Sequence, residues 1–122
     1  MAIKIPGVDV DAGLELCDGD EDIYLRVLRS YLSAIPPALD KMRNVSTETM
    51  QNYIVNVHGV KSTSASIGAE ETRKAALQLE TMARSGDLSG VLAQNETFIN
   101  CTAALVDSIR IFLKEHESSS LS

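Results

Sequence analysis

The chain has 122 residues, 44% hydrophobic and 23% charged, the balance of a soluble globular protein that can bury one core, so one domain is expected. Its 11 Lys and Arg against 17 Asp and Glu leave a formal charge of −6 with no basic cluster, which excludes a nucleic-acid binder driven by counterion release. The apolar stretches are short, and residues 1–11 carry one Lys and an early Pro6-Gly7, which excludes a membrane-spanning helix and a signal peptide.

Hydrophobic spacing reads as helix nearly throughout, without period-two alternation. A first helix is predicted over residues 9–17, followed by the turn Asp18-Gly19-Asp20, whose Asp20 suits the N-cap of the next. The second carries Tyr24, Val27, Leu28, Tyr31, Leu32 and Ile35 on one face. Pro36-Pro37 predicts a kink or interruption before the stripe resumes at Leu39 and Met42 and ends near Arg43-Asn44. Ser46 is the expected cap of a third helix with the stripe Met50, Tyr53, Val57, Val60 and Ser64, Ile67 at its end and Gly68 as terminator. A fourth helix starts at Ala69, sets Glu70 and Glu71 at the positive end of its dipole, and runs through Ala76, Leu79 and Met82 to Ala83-Arg84. After Gly86-Asp87 a last helix over residues 88–114 repeats apolar positions close to a heptad seam. The Ser-rich residues 117–122 are expected to be disordered.

Short connections between helices of similar length predict an all-α fold: an antiparallel up-down-up-down four-helix bundle with the short N-terminal helix as a lid. The predicted domain covers residues 1–116 and the tail residues 117–122. Cys17 and Cys101 form no CxxC or ligand cluster, so neither a disulfide framework nor a zinc site is indicated, and buried thiols in a cytoplasmic protein are expected. Nucleotide-binding, hydrolase and metalloprotease signatures are missing. Only His58 and His116 supply imidazoles, and His116, near the chain end, is given no role.

His58 falls about 110° from the centre of the third helix's apolar stripe, which places its ring at the solvent edge. Lys61 and Ser62, three and four positions later, lie one turn away on the same side. The surrounding segment, from Val57-His58-Gly59 to Ile67-Gly68-Ala69, is rich in small side chains, and Gly59 alone lowers helix stability by about 1 kcal/mol relative to Ala. A flat surface on which another protein brings its own group to the histidine is a reason for that composition. A neutral imidazole nitrogen can attack a phosphoryl donor, and Lys61 can offset the charge of the phosphohistidine formed.

The stretch His58-Gly59-Val60-Lys61-Ser62-Thr63-Ser64-Ala65-Ser66-Ile67-Gly68-Ala69 resembles the histidine-containing phosphotransfer (HPt) domain of two-component phosphorelays, whose motif is approximately His-x-Leu-Lys-Gly-x-Ala/Ser-x-x-x-Gly-Ala. His58, Lys61, Ser64, Gly68 and Ala69 match at that spacing; Val60 stands for Leu, and Ser62 where the family commonly has Gly. Leu77-Gln78-Leu79-Glu80 and Ala83-Arg84-Ser85-Gly86-Asp87-Leu88 are similar to the family's following helix and turn. Pro6-Gly7-Val8-Asp9, Gly13-Leu14 and residues 24–28 are similar to its N-terminal helices. The resemblance covers residues 5–114.

It implies a four-helix bundle in which His58 accepts a phosphoryl group from a receiver-domain aspartate and donates it to another, with no kinase activity or ATP site of its own. No cofactor is expected on this chain; the Mg²⁺ that transfer needs belongs to the receiver. The implied partners are response-regulator receiver domains and a hybrid sensor kinase, of which this chain is either a separate partner or an excised domain. A monomer is expected, because a phosphocarrier presents its histidine freely. Lys61 is the expected phosphate-stabilising residue. Gly59, Ser62, Ala65, Ile54, Val55 and Gln78 are candidates for the docking surface, with Ile54 packed in the helix seam as its alternative and Gly68 as the turn residue. Arg73 and Arg84 are read as a solvated charged face. The alternative, suggested by Ser62, is a receiver-binding module that transfers no phosphate.

Overall fold

Asp9 begins the helical part of the chain by accepting the Ala12 N–H in its side chain, and Asp20 does the same for Ile23 at 3.2 Å, the capping that leaves few orphan donors at each start. The computed structural model describes residues 4–121, with side chains through residue 116. Its helices are α1 (Val10–Leu16), α2 (Glu21–Met42), α3 (Met50–Ile67), α4 (Glu70–Arg84) and α5 (Leu88–Leu121). Among the described residues there is no strand, only an isolated bridge between Ile5 and Val8.

Three boundaries differ from the sequence expectation. The helix α2 runs through Pro36 and Pro37 without interruption. Each proline removes one backbone donor, but Tyr31, Ile35, Leu39 and Met42 are all buried on one face and hold the segment against its neighbours. Ser46 does not cap α3: it and Thr49 bond each other's backbone N–H groups across the preceding turn, at 2.8 and 3.3 Å, and α3 starts only at Met50. The helix α5 continues through Leu121 rather than ending near residue 114. The side chains of residues 117–122, on which the expectation of a disordered tail falls, lie outside the described residues.

Gly68 ends α3 in the left-handed conformation, at φ 84°, where glycine alone is unstrained. Its carbonyl accepts the Asp9 N–H at 2.8 Å, and a Cβ added there would strike the Asp9 carbonyl oxygen. The α3–α4 corner is thereby the seat of the N-terminal segment, and α1 packs on α3 and α2. The helices α2, α3, α4 and α5 each pack against two others in a closed ring.

The core inside that ring is mostly aliphatic, with Phe98 and three buried tyrosines, Tyr24, Tyr31 and Tyr53. Each phenol meets a partner: Tyr24 donates to the Ile67 carbonyl at 2.8 Å, Tyr31 shares a 2.9 Å bond with Ser64, and Tyr53 donates to Asn95 Oδ1 at 2.8 Å. Burial pushes the Tyr24 and Tyr31 hydroxyls up to about 12, so they stay protonated. These bonds explain Ser64 in an apolar stripe and tie α2 to α3 and α3 to α5. Asn95 also donates to the Met42 carbonyl at 2.8 Å, binding the end of α2. Cys101 is exposed on α5 and Cys17 is half-buried, so neither thiol is the buried one the sequence suggests.

Asn95→Ala strands the Tyr53 hydroxyl and the Met42 carbonyl in the core, and the expected loss is about 2–3 kcal/mol, read from urea unfolding of the two proteins.

Candidate functional site

Position along α3 decides how His58 is presented. Val57 and Val60 are completely buried on either side of it in sequence, so the register of the stripe turns the imidazole to the edge of the helix, where its side chain is 52% exposed. Its Nδ1 lies 2.8 Å from Oε2 of Glu80 on α4. The Glu80 side chain is only 5% exposed and sits among the buried Ala76, Leu79 and Ala83 of α4. The alanines leave room for a carboxylate where a larger side chain would fill the seam.

A buried carboxylate needs partners to remain charged, and Glu80 has three. Lys61 Nζ lies 2.5 Å from Oε1, and Arg84 donates to Oε2 from Nη2 at 2.8 Å and from Nε at 3.2 Å. Burial alone would raise the Glu80 pKa. The hydrogen bonds from Lys61, Arg84 and His58, with the Lys61 charge, outweigh it and hold the carboxyl at about 2.

The ionised Glu80 fixes the orientation and tautomer of the ring. A carboxylate only accepts, so the bond to His58 requires the proton on Nδ1. The neutral ring then has its lone pair on Nε2, on a side chain half open to solvent. Lys61 is 23% exposed and Arg84 59%, so two cations stand beside the imidazole against one carboxylate, a local positive excess in an acidic chain. Such an arrangement can attack a phosphoryl group and hold the dianion that results. Among the described residues no group of three or more His, Cys, Asp or Glu side chains could hold a metal ion.

The other candidate residues divide by burial. Val55 is 69% exposed, and Gly59, Ser62 and Gln78 are exposed as well. Ala65 is half-buried at a shallow depression it shares with Leu16 and Gly68. Ile54 is buried, because its register turns it into the seam, so it packs in the core and does not contribute a surface contact. Lys61 is tied to Glu80 and is not a free surface charge, and Arg84 belongs to the same cluster where a solvated face is the sequence reading. Arg73 pairs with Glu70 on its own helix. His116 stacks on Phe112 with centroids 5.8 Å apart.

Glu80 is the residue that reading for site chemistry passes over. Its signal is present in the sequence: an acid falling within the apolar stripe of Ala76, Leu79 and Ala83, with Arg84 four residues on.

The site is thus a half-exposed His58 whose Nδ1 is anchored to a buried carboxylate that also binds Lys61 and Arg84. The family model that matches the chain is that of the Hpt domain, over residues 26–110. The chain belongs to the Hpt domain family, whose members are phosphocarriers in phosphorelay signalling and interact with response-regulator receiver domains. No curated protein and no solved structure matches it. No helix among the described residues is long and apolar enough to cross a membrane.

With its folded pKa at about 2 against an ordinary 4.5, Glu80 contributes stability that is complete above pH 4.5 and lost as pH falls toward 2. Glu80→Gln is expected to lower the melting temperature near neutral pH by the equivalent of about 1–3 kcal/mol. The gap from the wild-type protein should close below about pH 3, as followed by thermal melts across that range.

Proposed function

We propose that His58 is the phosphoacceptor of a phosphorelay: its Nε2 takes the phosphoryl group from a receiver's phosphoaspartate and passes it to the aspartate of another receiver. The observation that carries this reading is the bond from Nδ1–H to a buried, ionised Glu80. As Nε2 attacks, the Nε2–P bond forms while the aspartyl O–P bond breaks and the carboxylate leaves. The ring gains positive charge without losing a proton, and Glu80 offsets that charge across Nδ1. In the onward step the Nε2–P bond breaks and the ring leaves neutral, its proton still on Nδ1. Neither direction needs a base, so one site serves both.

Lys61 stabilises the phosphoryl oxygens, and Mg²⁺ bound by the receiver screens the rest. The chain acts without an ATP site of its own, as substrate and carrier. Its partners are receiver domains and a hybrid sensor kinase, and it works in the cytoplasm as a monomer. The ring of packed helices and their short connections support an antiparallel up-down-up-down bundle with α1 as lid, which leaves the α3 face open to a partner. Val55, Gly59, Ser62, Ala65 and Gln78 form the docking surface. The competing reading, a module that binds receivers and transfers nothing, is favoured by the exposed Ser62 at the position where the family commonly has Gly.

Incubation with acetyl-phosphate-charged receivers and Mg²⁺, followed by intact mass at mildly basic pH, separates the two readings. One added phosphate on the wild-type protein and none on His58→Gln is expected; receiver binding without any mass gain is the outcome of the second reading. Lys61→Ala is expected to slow labelling about tenfold, with a lowered melting temperature as well, because it removes a partner of Glu80.

A further inference from the structure

Three glycines lie inside helices, and two have a packing reason. A Cβ at Gly13 would strike the Tyr24 ring, and one at Gly90 the Asp87 carboxylate. A Cβ at Gly59 would meet nothing within 4 Å. The residue therefore lowers the helix propensity of α3 at a position where the fold itself has room for a Cβ.

Its place on α3 supplies the reason. Gly59 lies about 100° round the helix from His58, on the flank away from Lys61. Val55, one turn before it, is 69% exposed. Two hydroxyls around it are folded down onto the helix: Thr63 donates to the Gly59 carbonyl at 2.6 Å and Ser66 to the Ser62 carbonyl at 3.1 Å. The flank is consequently low as well as open. Apart from His58 and Lys61, residues 55–66 carry no ionisable side chain, so the flank complements an uncharged surface.

We propose that Gly59 is a clearance residue that sets access to His58: the phosphorylated receiver lays an apolar side chain over Gly59 and against Val55, which lets its phosphoaspartate come within reach of Nε2. The proposal rests on the phosphorelay reading. In-line transfer needs the reacting atoms about 3–3.5 Å apart, and a side chain rising from the residue next to the nucleophile holds the partner off. Ser62, at the family's usual glycine position, lies on the same flank with a short side chain. In this chain the required gap has its floor at Gly59.

The test uses Gly59→Ala and Gly59→Gln with two phosphodonors. Phosphoramidate, which releases ammonia as it phosphorylates histidine, is small and needs no docking; a charged receiver needs the surface. Both substitutions are expected to raise the melting temperature and leave phosphoramidate labelling within about twofold of wild type. Receiver-dependent transfer is expected to fall about tenfold or more in Gly59→Gln and less in Gly59→Ala, with the loss in KM. Wild-type receiver rates in both variants would overturn the proposal, as would an equal loss with both donors, which would place the defect in the nucleophile. Failure of the phosphorelay reading is distinct: the wild-type protein would then label with phosphoramidate and with no receiver, and the clearance role would fall with it.

Discussion

One buried carboxylate organises the chemistry of this protein. Glu80 lies in the seam between α3 and α4 and could not remain ionised there alone, since burial opposes the charge. Lys61, Arg84 and His58 keep it charged, and in doing so each is positioned by it. The proton of the imidazole is directed to Nδ1, the ammonium is drawn to within a turn of the ring, and the guanidinium is held at the end of α4. Remove the carboxylate and the histidine has no preferred tautomer and the two cations no common anchor. The site is a set of mutual constraints, in which stability and reactivity come from the same bonds.

The remainder of the fold serves to keep α3 and α4 in the register that this contact needs. Gly68 turns the chain between them and receives the N-terminal segment on its carbonyl. Tyr31 bonds Ser64 and Tyr24 bonds the Ile67 carbonyl, fastening α2 to the C-terminal half of α3, while Asn95 joins α5 to α3 and to the end of α2. Polar pairs of this kind are directional in a way an aliphatic core is not. They fix the rotation of α3 about its axis, and that rotation decides that Val57 and Val60 face inward while His58, Gly59 and Ser62 face out.

Much of this was legible beforehand because it depends on local periodicity. The stripes of α2 and α3, the Asp20 cap, the Gly68 terminator and the exposure of His58 follow from residues three and four apart. The misreadings have a common cause in context beyond the helix. Pro36-Pro37 interrupts hydrogen bonding locally, yet the buried stripe on either side carries α2 through. Ser46 is a good cap by type, but Thr49 pairs with it and the helix starts later. Ile54 sits beside Val55 in sequence but is turned into the seam, while Val55 faces solvent.

By itself the sequence determined the helical class, the element order and the position of His58 with Lys61 one turn away, since each is a matter of spacing along one helix. Only the tertiary structure decided what the site is chemically. Glu80 lies 22 residues from His58, and nothing in the period of either helix says that their side chains meet. The packing of α4 on α3 brings them together, and the low polarity of the seam turns one carboxylate into the group that orients the others and places the ring proton on Nδ1.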